Sequence, residues 1–151
     1  MTGETLEFGG FSDQAQLSYG PRWLTVKEII ALHDKQIARF GGPAGLRDPG
    51  ALESALNRAR NKWEYEGADL ALLGAAHAFG IARNHPFVDG NKRAAFVSMM
   101  LFLRKNGVRF APPQNEATRI ILEVAAGNIG EEGLARWIRD NWPVVSDPDA
   151  A

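Results

Sequence analysis

Apolar residues recur at helical spacing through most of this chain, and two stretches are apolar on nearly every side. Val26, Ile29, Ile30, Ile37 and Phe40 form a stripe of helical period, and Thr25 with Glu28 reads as a capping box in front of it. The first helix is therefore predicted over Thr25–Phe40, stopped by Gly41-Gly42-Pro43. Asp48-Pro49 supplies an N-cap and a proline at the first helical position. Leu52, Ala55, Leu56 and Ala59 then share one face of a second helix running to about Asn61. The run Asn61–Glu66 mixes polar and aromatic residues and ends at Gly67, a short alternation that predicts an extended flap or short hairpin.

From Asp69 to about Arg83 the apolar residues Leu70, Leu72, Leu73, Ala75, Ala76, Phe79 and Ile81 leave no polar face, as expected of a buried helix. The same holds for Ala94–Leu103, inside a helix predicted from about Asn91 to Lys105 and closed by Asn106-Gly107. Pro112-Pro113 breaks the chain, and helices over Glu116–Ala126 and Glu131–Asn141, the latter with Leu134, Trp137 and Ile138 inward, bring the number to six. With no clear strand ladder, internal repeat or long linker, the pattern predicts an all-α single-domain bundle centred on its two most apolar helices. Residues 1–21 are expected to form a flexible arm, 22–142 the domain and 143–151 a tail.

The segment joining the two central helices is the most polar of the interior connections. In nine residues, His85-Pro86-Phe87-Val88-Asp89-Gly90-Asn91-Lys92-Arg93, it combines a possible proton acceptor, a carboxylate, a turn glycine and two cations. Lys92 and Arg93 fall in the first turn of a helix, the end at which cations are disfavoured by about 0.3–1 kcal/mol each. A bound anion reverses that penalty, since free N–H groups and the positive end of the dipole already favour one there. Imidazole titrates near ~6.5, so His85 can take or give a proton near neutrality. Asp89 is a hard oxygen ligand suited to Mg²⁺. Gly90 permits a tight turn, Asn91 can bind phosphate or hold the loop, and Lys92 and Arg93 offer a point charge and a planar fork. Phe87 reads as an anchor into the core and Pro86 as a stiffener. Base, metal ligand and anion cradle are the recurring parts of phosphoryl or nucleotidyl transfer.

Composition narrows the alternatives. The 151 residues are 45% hydrophobic and 23% charged, with a net charge of −1, which gives no support for bulk attraction to nucleic acid or to an anionic membrane. There is no cysteine, so disulfide and thiolate chemistry are excluded, and no apolar run approaches membrane-spanning length. A cytoplasmic location is the expectation. His33 and His77 lie in apolar helices at no recognised ligand spacing and are expected as satisfied histidines. Met99-Met100 and the four tryptophans are expected as packing, and Arg58, Arg60 and Lys62 as a solvated face.

The nine-residue segment resembles the motif of the Fic/Doc superfamily, H-x-F-x-[DE]-[GA]-N-[GK]-R, with Lys92 pointing to the Doc (death-on-curing) branch. Gly41-Gly42, Gly45-Leu46-Arg47-Asp48, Leu52-Glu53-Ser54-Ala55-Leu56 and Asn84 extend the resemblance to about residues 22–142. It implies a helical, ATP- and Mg²⁺-using toxin that modifies a hydroxyl of a target protein. On it, His85 is the catalytic base, Asp89 holds Mg²⁺, and Gly90, Asn91, Lys92 and Arg93 bind the nucleotide phosphates. In the Doc branch the reaction is phosphorylation of a threonine of elongation factor EF-Tu, which stops translation; in the wider Fic branch it is AMP transfer. The implied partners are an EF-Tu-like target and a cognate antitoxin with a disordered inhibitory segment, and the flap that docks the target is expected around Trp63–Glu66.

Two departures favour the kinase. AMP-transferring members carry a small Gly where this chain has Lys92, and a second Arg where it has Phe96. Pro86 and Gly90, by contrast, are as in typical Fic motifs. No self-inhibitory [ST]-x-x-x-E-[GN] helix is found, which fits inhibition by a separate antitoxin. The alternatives are AMP transfer and a catalytically silent protein-binding module.

Overall fold

Three side chains set where the first three helices begin. In the computed structural model, which describes residues 20–144, Thr25 Oγ1 accepts the Glu28 N–H at 3.1 Å and the Glu28 carboxylate accepts the Thr25 N–H at 2.9 Å. This closes the expected capping box ahead of α1 (Val26–Phe40). Asp48 accepts from Ala51 N–H at 3.0 Å to start α2 (Pro49–Glu66), and Asp69 accepts from Leu72 N–H at 2.9 Å to start α3 (Leu70–Asn84). There follow α4 (Asn91–Lys105), α5 (Gln114–Ala126) and α6 (Glu131–Asp140). The six-helix, all-α expectation therefore holds, and the described residues contain no strand, only an isolated bridge between Leu46 and Phe87. The expected arm and tail lie almost wholly outside the described residues.

One expected element is corrected. The run Asn61–Glu66 is neither flap nor hairpin but the last turn of α2, ended by Gly67 in the left-handed region at φ 61°. A few alternating residues carry too little period to fix a strand, whereas helical spacing satisfies every partner here. Lys62 meets Glu66 one turn on at 3.4 Å and Glu131 of α6 at 3.1 Å, and Trp63 packs against the core. Arg58 and Lys62 are also more than a solvated face. They clamp Glu131, which is only 8% exposed, with Arg58 Nε donating to it at 2.6 Å. The hydrogen bond to Glu131 raises the Lys62 pKa, against the opposing pull of burial. The start of α5 at Gln114 rather than Glu116 follows from the Pro113 carbonyl accepting the Ala117 N–H at 2.9 Å.

The apolar helix α3 lies at the centre, touching α2, α4, α5 and α6. Small residues bring its neighbours close. A Cβ on Gly80 would sit 2.9 Å from that of Ala55 on α2, and one on Gly74 would sit 3.2 Å from Leu103 on α4. The fold thus holds both ends of the α3–α4 junction against the least compressible part of the molecule. Ion pairs close the perimeter. Lys105 reaches Glu28 at 2.8 Å, joining the end of α4 to the start of α1, and Arg139 of α6 binds the Asp69 cap at 3.0 Å. These bonds hold the Glu28 and Asp69 carboxyls below the ordinary carboxylate range, against opposing burial. No helix among the described residues is long and apolar enough to cross a membrane.

His77 sits at the heart of α3, fully buried, its ring 4.4 Å from that of Phe102 and its Nδ1 2.8 Å from the Leu73 carbonyl. Its Nε2 has no partner, so only half of the expected satisfaction holds. Burial, aided by the nearby charge of Arg60 and opposed by the Leu73 bond, pushes its pKa from 6.5 down to about 4. Above pH 6.5 the ring is neutral in both folded and unfolded chains. As pH falls from there towards 4 the unfolded chain binds a proton that the folded one refuses, so stability declines across that window by ~3 kcal/mol. Denaturant titrations at stepped pH are expected to show this slope in the native protein and a flatter one in His77→Leu.

Candidate active site

The junction of α3 and α4 is built by strapping a polar turn to the loop ahead of α2. His85 ends α3 in the left-handed region, φ 51° and ψ 56°, the only non-glycine residue with positive φ among those described. For a side chain with a Cβ this costs about 1–2 kcal/mol, and it persists only where surrounding bonds over-determine it. Those bonds are present. The His85 N–H reaches the Ile81 carbonyl at 3.2 Å, the Arg47 guanidinium donates to the His85 carbonyl, and the Asn84 amide donates to Ala51 at 3.0 Å. The Pro86 carbonyl accepts the N–H groups of Arg47 and Asp48 at 2.8 and 2.9 Å, and Val88 N–H donates to the Gly45 carbonyl at 3.0 Å. The segment that lies beside the motif is therefore residues 45–48, not Trp63–Glu66.

Beneath the turn, Phe87 is 1% exposed and stacks on His33 with ring centroids 3.8 Å apart and planes 7° from parallel. The expected anchor is thus in place. Asn91 is buried, and its side chain closes the loop on Phe87 from both sides: Oδ1 accepts the Phe87 N–H at 2.9 Å and Nδ2 donates to the Phe87 carbonyl at 3.0 Å. Of the two roles open to Asn91, its amide holds the loop. What it can present to a ligand is its backbone N–H.

Pro86 is buried as well, and the charged and titratable motif side chains are turned outward. His85, Asp89, Lys92 and Arg93 are all exposed. Gly90 is the N-cap of α4 at φ 76°, with no side-chain cap, and the first intrahelical bond runs from Ala94 N–H to the Gly90 carbonyl at 2.9 Å. The N–H groups of Asn91, Lys92 and Arg93 therefore have no partner within the helix, in a helix whose first turn also carries two cations. That arrangement is stable only beside an anion or well solvated. The Arg93 guanidinium rests 4.6 Å from the Phe40 ring centroid, on an aromatic that is 52% exposed and also carries Arg39 at 5.3 Å. The Asp89 carboxylate lies over Gly42: a Cβ there would come within 2.6 Å of Oδ2, and Gly42 has φ 109°, so glycine is required twice over.

No group of three or more His, Cys, Asp or Glu side chains among the described residues is placed to hold a metal by itself. Asp89 alone fits the other mode, in which Mg²⁺ keeps its waters and takes one protein carboxylate together with substrate phosphates. The groups around it, N–H groups with no partner within the helix and two cations, are of the kind that suits an anion such as phosphate.

Sequence reading missed His33. It was expected only as a satisfied histidine, yet its partner is the motif itself: Nε2 lies 2.7 Å from the Asp89 carbonyl. The available signal was its position on the inward stripe of α1 between Ile29 and Ile37, a place where a polar side chain must find a specific bond.

The Fic/DOC family model matches residues 23–103. The chain is 39% identical over 120 residues to "Protein kinase doc" of Escherichia phage P1, an overlap covering 78% of this chain and 94% of that protein. It is 42% identical over 102 residues to "Toxin Doc" of Mycolicibacterium smegmatis, covering 64% and 77% respectively. Replacing Asn91 by Ala is expected to leave both Phe87 backbone groups without partners, at a cost of about 1–3 kcal/mol for each. Lys92→Ala, on an exposed side chain, should stay within about 0.5 kcal/mol. Urea denaturation of the two variants checks the contrast.

Proposed function

This chain belongs to the Fic/DOC family, and we propose that it is a Doc-type toxin that transfers the γ-phosphate of ATP to a Ser or Thr hydroxyl of an EF-Tu-like translation factor. The observation that carries the reading is the exposed His85, held in a strained turn directly before an uncapped helix N-terminus that bears two cations. Bound Mg·ATP supplies the electrophilic phosphoryl group and neutralises part of its charge. The chain supplies position and a base. The N–H groups of Asn91, Lys92 and Arg93 and the two cationic side chains hold phosphate oxygens, while the Asp89 carboxylate anchors the metal. The His85 imidazole, exposed at the end of α3, accepts the proton of the incoming hydroxyl. Exposed Val88 within the motif and exposed Phe40, which lies under the Arg93 guanidinium, offer an apolar footing for the target chain.

Phosphorylation is favoured over AMP transfer by two positions. Lys92 brings a long side chain to the cradle where AMP-transferring members have glycine. Phe96 is half-buried and packs against the core, so no cation stands at the place of their second arginine. The kinase reading also agrees with the name of the phage P1 relative. In a cytoplasmic setting, an antitoxin with a disordered inhibitory segment restrains the enzyme.

Incubating the protein with γ- or α-labelled ATP and cell extract is expected to label a target from the γ-position alone. Label from the α-position would establish AMP transfer instead, and label from neither would leave a silent binding module. His85→Gly is expected to lower transfer by about 10²–10⁴-fold, while raising stability by about 1 kcal/mol through relief of the left-handed strain. Transfer assays and thermal melts of the same preparation read both effects. Undiminished transfer by a folded variant removes His85 as the base. Arg93→Ala should weaken ATP binding by about 10-fold or more, the loss of a charge-assisted hydrogen bond, as measured by calorimetry.

A further inference from the structure

The geometry points to His33 of α1 as a positioning residue that aims the Asp89 carboxylate at the metal, an assignment that rests on the nucleotide site proposed above. Asp89 is exposed and is followed by Gly90, whose φ of 76° and lack of a Cβ place little restraint on the intervening peptide. A change in ψ of Asp89 that φ of Gly90 does not compensate turns its Cα–Cβ bond relative to the first turn of α4. A carboxylate that is the sole protein ligand of a hydrated metal cannot tolerate such a swing, because the other ligands are mobile too.

The peptide is held from below. His33 Nε2 lies 2.7 Å from the Asp89 carbonyl. A carbonyl can only accept, so Nε2 carries the hydrogen. The same ring is 1% exposed and stacks on Phe87, so one buried side chain fixes the motif at two points, through a face contact and an edge bond. Its fit is close: a Cβ on Gly90 would lie 3.3 Å from Nε2 and 3.4 Å from Ile37. Nothing in core packing alone requires a donor at this place. An aromatic ring without a donor could keep the stack on Phe87, but it would leave the Asp89 carbonyl without this bond. The hydrogen bond is what distinguishes histidine there, and its acceptor belongs to the residue assigned to the metal.

The test separates the donor from the ring. His33→Phe keeps an aromatic against Phe87 and removes the donor, while His33→Gln keeps an N–H donor and removes the stack. ATP affinity is measured by calorimetry with and without Mg²⁺ for the native protein, both variants and Asp89→Asn, and each melting temperature is recorded. In the native protein Mg²⁺ is expected to tighten ATP binding, and Asp89→Asn to lose that gain. His33→Phe should lose about 10-fold or more of the Mg²⁺-dependent gain, the usual cost of removing a group that orients a metal ligand, with metal-free ATP affinity unchanged. His33→Gln should recover most of the gain even though it melts lower. A folded His33→Phe with the full gain overturns the assignment while leaving the Asp89 role intact. So does a loss in both variants that simply follows melting temperature. Should Asp89→Asn itself keep the full gain, the metal site falls and this inference with it.

Discussion

The seating of Phe87 between His33 and Asn91 is the constraint on which the rest of the site depends. Burying a phenyl ring contributes about 2 kcal/mol by transfer alone, and here the ring also carries its own backbone N–H and carbonyl into the interior. Those two groups must be bonded or the gain is cancelled. The Asn91 amide satisfies both at once, because its donor and acceptor lie at the spacing of a peptide's own pair. The chain therefore cannot leave α3 in any direction it likes. It must dip to Phe87 and rise again within four residues to begin α4, and that path brings His85 and Asp89 to the surface on either side of the dip.

The same path explains the tolerated strain at His85. A left-handed C-cap is ordinarily glycine, yet glycine would bring no imidazole. The cost of an ordinary side chain there is offset by bonds drawn from another part of the chain: Arg47 to the His85 carbonyl, and the N–H groups of Arg47 and Asp48 to Pro86. Asp48 serves two structures, since it also caps α2. Loop, cap and turn are thus one unit, and α2 is held on its other flank by Arg58 and Lys62 gripping Glu131 of α6. Rigidity reaches the turn from the whole bundle rather than from the motif.

Much of this was legible in the residues. The capping box, the Asp-Pro start of α2 and the two apolar central helices are local signals with one physical meaning each, and all six expected helices are present, with α2 longer at its end and α5 at its start. The turn announced itself by cations at the wrong end of a helix. What escaped was everything decided by distant partners. The stretch after Asn61 continues as helix because Lys62 finds Glu131 across the bundle, a contact about seventy positions away that no local window contains. Asn91 could be read as ligand or brace, and only the position of Phe87 chooses between them. His33 looked like any buried histidine because its acceptor is a backbone carbonyl, and carbonyls leave no mark in a sequence.

The motif therefore holds two interleaved sets of residues with different work. Pro86, Phe87 and Asn91 face inward and build the bend, while His85, Asp89, Lys92 and Arg93, the residues to which we assign the chemistry, face outward. The alternation is not optional. An outward residue can be aimed only by the inward neighbour that fixes its backbone, and in a turn this tight each neighbour fixes just one or two positions. Asp89 lies two positions from each of the inward anchors Phe87 and Asn91, between exposed Val88 and the permissive Gly90. It is the one outward group whose backbone must be held from another helix, and the bond from His33 meets it there.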